Sequence, residues 1–180
     1  RGAAALMAHD LAPTPVSGVR VQACGDAHLS NFGFYASPER ELVFDLNDFD
    51  ETLPAPWEWD VERLVASLVV AARSSGFGDQ VATTVAIGCA RAYRTAMRWL
   101  AARGALQNFH TLVKASELLS RSEQMDMGAA GKEIARATRK AEGRTSETAL
   151  QKLTTVCENG ELRLVEQPPL MVRPQQWPDD

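Results

Sequence analysis

Asp26 stands five residues before Asn31 in the run Gly25-Asp26-Ala27-His28-Leu29-Ser30-Asn31. A second, acidic run follows the apolar pair Val43-Phe44 and reads Asp45-Leu46-Asn47-Asp48-Phe49-Asp50-Glu51. These are the residue types that phosphoryl transfer needs. One Asp takes the proton of the attacking hydroxyl, while an Asn and a later Asp hold magnesium on the phosphates. Asp26 is therefore a candidate base and Asn31 a candidate metal ligand. Asp45, Asp48 and Asp50 compete for the second metal position.

The acids are dense. Glu41, Asp45, Asp48, Asp50, Glu51, Glu58, Asp60 and Glu62 fall within 22 residues that contain no Lys or Arg. A solvated acidic loop would share that composition. Phe44, Leu46, Phe49, Trp57 and Trp59 are interleaved with them. Large apolar side chains draw the backbone into a fold, and carboxylates carried along must be paired or neutralised. Magnesium bound by one or two carboxylates plus substrate phosphates would do so. An EF-hand fails on spacing: counted from Asp45, the fifth position is Phe49 and the sixth is Asp50, where the calcium loop needs an oxygen ligand and a Gly. Asp26-x-His28 resembles the first metal-binding element of calcineurin-like phosphoesterases. Such sites need several more His ligands, and the other histidines are His9 and His110. His28 is read as a hydrogen-bonding brace of its loop, because its second ring nitrogen can fix backbone geometry.

Several elements must position these groups. Gly2 to Leu11 is Ala- and Leu-rich and predicts a helix ending before Pro13 and Pro15. Val19 to Cys24 alternates and predicts a strand leading into the loop. Phe32 to Ala36, the turn Ser37-Pro38-Glu39-Arg40, and Glu41 to Asp45 predict a hairpin that returns Asp45 beside Asn31. Beyond it, Val61, Leu64, Val65, Leu68, Val69 and Ala72 form one helical stripe within Trp59–Arg73. Asp79 is placed to cap a second helix running to about Arg103, with Gly104 at its end. Further helices are expected near Gln107–Ser120, Ala130–Glu142 and Ser146–Cys157. Asn159-Gly160 signals a turn, and Glu161 to Val165 a strand. The expected organisation is one domain over 1–180. A catalytic and metal-loop segment spans 1–62, a helical segment 63–157, and a strand with a Pro-rich tail 158–180.

Bulk properties narrow the class. A length of 180 residues suits one domain, against a prior of roughly 100–200. With 45% hydrophobic residues a core can form. The net charge of −4 argues against a nucleic-acid binder. Cys24, Cys89 and Cys157 are odd in number and form no C-x-x-C pair, so neither a disulfide framework nor a zinc site is expected. The expected setting is the reducing cytoplasm, with no membrane partner. Arg91, Arg94 and Arg98 form one helical stripe, and Lys132, Arg136, Arg139, Lys140 and Arg144 a second basic cluster; both read as solvated helix faces.

The segments Cys24-Gly25-Asp26-Ala27-His28-Leu29-x-Asn31-Phe32-Gly33, Phe44 to Thr52, and Pro56-Trp57-Glu58-Trp59-Asp60-x-x-Arg63-Leu64-x-x-Ser67 resemble the bacterial family called domain of unknown function 2252. That family is similar to aminoglycoside phosphotransferases and other kinase-like enzymes, whose loop reads H-G-D-x-H-x-x-N; here Cys24 replaces the leading His. The resemblance implies an α+β fold like the mainly helical C-terminal lobe of a kinase, with a small hairpin carrying the catalytic and metal loops. It implies ATP and Mg²⁺ as cofactors and an unknown hydroxyl-bearing acceptor as partner. By position, Asp26 matches the base. Asn31 matches a magnesium ligand, and His28 lies with it on the cofactor side. Asp45 and Asp48 match the later metal Asp equally well, ahead of Asp50. Asp60 matches the residue that opens the next helix and braces the catalytic loop.

A kinase-like site also needs a Gly-rich loop and a strand Lys over the phosphates. Gly76-Phe77-Gly78 lies between two helices and lacks the third Gly. The resemblance places the missing pieces downstream, so the chain is expected to be a fragment with half of a nucleotide site. A non-catalytic kinase-like scaffold is the alternative, and a metal-dependent phosphoesterase a third reading.

Overall fold

The computed structural model describes residues 3–143, 146–157 and 160–166. They form an α+β fold of seven α-helices and six short strands, all paired antiparallel. The chain divides into two units after Asp126.

In the first unit, α1 (Ala4–Leu11) precedes β1 (Arg20–Ala23), and a single 3-10 turn, Leu29–Asn31, leads into β2 (Phe32–Ala36). β3 (Leu42–Leu46) returns against β2 in the register Gly33 opposite Asp45 and Tyr35 opposite Val43. β4 (Leu53–Pro56) then pairs with β1, Ala23 facing Leu53. This strand was not foreseen, because Pro54 and Pro56 argue against sheet. An edge strand tolerates Pro, since one side of it needs no donors. The hairpin's Arg40 takes a φ of +64° at the turn.

Pro56 leads directly into α2 (Trp57–Ser74). Glu58 and Asp60 lie in its first turn and Arg73 in its last, the charge order that suits a helix dipole. α3 (Asp79–Ala101) packs along α2, and Trp57 stacks on Tyr93 with ring centroids 5.4 Å apart. Gly78 is the N-cap of α3, not Asp79; Asp79 is the first helical residue and pairs with Arg73 at 2.9 Å. The helix expected near 107–120 is two pieces, α4 (Ala105–Phe109) and α5 (Ala115–Gln124). The stretch between them is extended because Val113 accepts the Phe44 amide and Lys114 bridges to Val43, covering the free edge of β3. Val43 is the deepest large side chain of this unit, and Ala23, Ala27, Leu46 and Ala55 are buried with it.

In the second unit, α6 (Gly128–Glu142) and α7 (Ser146–Leu153) precede a hairpin of β5 (Thr154–Val156) and β6 (Leu162–Leu164). The helix expected to run to Cys157 stops at Leu153, because the β-branched run Thr154-Thr155-Val156 pairs with β6 instead. Arg144, Asn159 and the Pro-rich tail lie outside the described residues. No helix among the described residues is long and apolar enough to cross a membrane.

Candidate active site

The loop between β1 and the 3-10 turn is suspended from α2. Asp60, Arg63 and Ser67 stand at i, i+3 and i+7 of that helix and so share one face. Each engages the loop. Asp60 accepts the Cys24 amide at 2.8 Å and the Gly25 amide at 3.2 Å. Arg63 donates through Nε and Nη2 to Oδ1 of Asp26, the Nε bond measuring 2.8 Å. Ser67 accepts the Leu29 amide at 2.9 Å and donates to the carbonyl of Leu64. Ala27, buried, pins the middle of the loop in the core.

Gly25 makes the turn possible. Its φ is +84°, and a Cβ there would sit 2.0 Å from the carbonyl oxygen of Glu51. The loop therefore abuts the acidic run through a contact only Gly allows. The adjacent Cys24 thiol is pushed up to about 11, first by burial and then by the Asp60 carboxylate, so it stays protonated and inert as a nucleophile.

Both oxygens of the Asp26 carboxylate face a partner. Oδ1 takes the guanidinium, and Oδ2 lies 3.4 Å from Nε2 of buried His28. Nδ1 of His28 accepts the Ser30 amide at 3.1 Å, so the ring proton sits on Nε2, toward Asp26. A carboxylate has about four lone-pair sites. Two Arg63 donors converge on one oxygen and His28 approaches the other, which leaves Oδ2 with a lone pair for one more hydrogen bond.

Asn31 closes the loop on itself. Its Nδ2 donates to the backbone oxygen of Asp26 at 2.9 Å, and this orients Oδ1 as the free acceptor of the amide. The backbone bond from Asn47 to the oxygen of Asn31, 2.8 Å, extends the hairpin register by one pair. Asp45 on β3 and Asn47, one residue past its end but continuing its register, stand two apart and so lie on one face, with Asp45 opposite Gly33. Asn47 lies over Gly33, where a Cβ would meet its Nδ2 at 2.5 Å.

The structure thus brings Asp26, His28, Asn31 and Asp60 into one bonded loop, and carries Asp45 back along the hairpin toward Asn31. Asp48 and Asp50 sit farther along, exposed; Oδ1 of Asp48 accepts the Asp50 amide at 3.3 Å. Among the described residues no group of three or more His, Cys, Asp or Glu side chains could hold a metal ion. A protein-only cage is not what the donors offer. Asn31 Oδ1 and the exposed Asp45 carboxylate suit a hard cation that keeps most of its ligands as water and phosphate, as magnesium does. Arg63, Ser67 and Asn47 were not foreseen as site residues. The signal was present for the first two in their helical spacing from Asp60.

No curated protein and no solved structure matches the chain. A family profile matches residues 1–179, nearly the whole length. The chain belongs to the family described as an uncharacterized protein conserved in bacteria, DUF2252.

Proposed function

We propose that this chain carries the base and metal half of a phosphotransferase, which moves the terminal phosphoryl group of ATP onto a hydroxyl of a small acceptor. The observation that supports it is the single bonded unit of Asp26 and Asn31. The Asn amide is tied to the backbone of the Asp five residues before it, and the loop holding both is fastened to α2 by Asp60. Positioning of this kind is most of what phosphoryl transfer asks of a protein. In this reading Asp26 accepts the hydroxyl proton at Oδ2. Arg63 and His28 hold its carboxylate in place. Asn31, with Asp45 ahead of Asp48 and Asp50, would hold Mg²⁺. That ion would supply charge neutralisation on the phosphates.

The Arg63–Asp26 ion pair favours a second reading, a non-catalytic binding module, because it already satisfies the carboxylate meant to act as base. Calorimetry with ATP and Mg²⁺, followed by transfer from labelled ATP, separates the two. It should be run on the full 180-residue chain. The phosphotransferase reading expects saturable, Mg²⁺-dependent binding. It also expects Asp26→Asn to keep that binding and to lose roughly 10²–10⁴-fold in transfer. Binding without any transfer supports the module. Absence of binding, or transfer untouched by Asp26→Asn, removes the phosphotransferase.

A further inference from the structure

Arg63, with His28, Leu29 and Ser30 of the loop, lines a cavity of 380 Å³ between α2 and the loop. Its volume falls within the roughly 300–1,000 Å³ of small-molecule sites. It opens because the residues of α2 that follow Arg63 on this face are small: Ala66, Ser67 and Ala71, with Val70 at the rim and 64% exposed. Its charge is one-sided. Arg63 is the cation in its wall, and no carboxylate lines it. Asp26, which is not among the lining residues, holds the guanidinium through Nε and Nη2.

An arginine carries five N–H donors. Two go to Asp26. One from Nη1 reaches the sulfur of Met7 at 3.4 Å, a weak acceptor. The remaining two have no partner among the described residues. Ser67 spends its hydroxyl hydrogen on Leu64. Ser30 brings a hydroxyl to the same wall. The wall thus combines a guanidinium already held in place, with two donors unpartnered, and the Ser30 hydroxyl. That is a site for an oxyanion, and the planar fork suits phosphate or carboxylate.

We propose that this cavity binds a small organic anion, a phosphate ester or a carboxylate, with Arg63 shared between the ligand and Asp26 and with Ser30 as second donor. As a binding site it stands by itself. As the acceptor's subsite, making the acceptor an anionic hydroxy compound, it rests on the phosphotransferase reading.

The test is an NMR titration of the chain with inorganic phosphate, and separately with acetate, against chloride at constant ionic strength. Arg63 Nε and the Leu29 and Ser30 amides are followed. Neither nucleotide nor Mg²⁺ is present, so the result is independent of phosphoryl transfer. The expected result is a saturable, millimolar response at these three groups to at least one oxyanion, and none to chloride. Arg63→Gln should abolish it. That change also strands Asp26, so Val70→Glu is the second variant: it leaves the ion pair in place, sets a like charge at the rim, and should weaken binding at least tenfold. A response no larger than chloride's overturns the site. So does one centred on other residues, or binding unaltered in Val70→Glu. Oxyanion binding by a protein that binds no ATP would leave the site standing and remove the acceptor assignment.

Discussion

Asp26 and Asp45 belong to the same putting-together of loop and hairpin, yet they are held in opposite ways. Asp26 is half-buried; Arg63 bonds it, His28 faces it, and its loop is fastened by Asp60 and Ser67. Asp45, Asp48 and Asp50 are exposed. Their bonds are local: Asp45 accepts its neighbour's amide from Leu46, and Asp48 that of Asp50. The first region is organised before any ligand arrives. The second leaves its carboxylates exposed and held only by neighbouring amides. A proton acceptor gains from fixed geometry, since misplacement by about 1 Å can cost on the order of 10²-fold. A magnesium ligand needs a reachable charge, because water and phosphate supply the rest of its shell.

The largest effect should come where the two regions touch. Gly25→Ala forces a Cβ to within 2.0 Å of the Glu51 oxygen at a φ of +84°. Strain and overpacking together should cost roughly 3 kcal/mol or more. Thermal unfolding should show a midpoint lowered on the order of 10 °C. A midpoint within a few degrees of the parent would mean that loop and acidic run separate freely.

Next is the brace. Asp60→Ala leaves the Cys24 and Gly25 amides without their acceptor and should cost roughly 2–3 kcal/mol in urea unfolding, while Asp60→Asn, keeping one oxygen, should cost about 1 kcal/mol. Equal losses in the two variants would show that the negative charge, rather than the hydrogen bonds, holds the loop.

A smaller effect appears in alkali. The folded state holds the Cys24 proton up to about 11, against 9.0 for the free thiol. Between those values the unfolded chain carries fewer protons than the folded one, so stability falls as pH rises. The stability difference between the parent and Cys24→Ser should therefore shift toward the Ser variant from pH 9 to 11. Asp60→Asn should also speed labelling of Cys24 by a thiol reagent at pH 9, since it removes a carboxylate that raises the thiol's pKa. A Cys24 that reacts as fast in the parent would place it outside the brace.

The two regions were unequally legible. The hairpin was readable because two short apolar runs flank the turn Ser37-Pro38-Glu39-Arg40, which sets the return of Asp45 locally. Asp60 was readable as a brace only through the family resemblance, since its place at a helix start fits a charge that complements the dipole equally well. Arg63 was harder, because its partner is 37 residues away and only the fold joins them. β4 was hidden by its two prolines, and β5 by the helical run before it, since pairing partners decide both. What stays illegible is long-range: contacts that give no local period.

The smallest effect on the fold, and the sharpest on the comparison, is expected from the acids themselves. Asp45→Asn, Asp48→Asn and Asp50→Asn should each change stability within about 0.5 kcal/mol, because these side chains are exposed and hold nothing distant. Nucleotide binding should tell them apart. If Asp45 shares a magnesium with Asn31, Asp45→Asn should raise the Mg²⁺ concentration for half-maximal ATP binding by roughly tenfold or more. Asp50→Asn should leave it nearly unchanged, since Asp50 lies beyond the face that Asp45 and Asn47 share. An order reversed between Asp45 and Asp48 would move the metal off the strand and onto the loop after it. Three variants that bind like the parent would make the acidic run a solvated surface, leaving the braced Asp26 loop without a metal side.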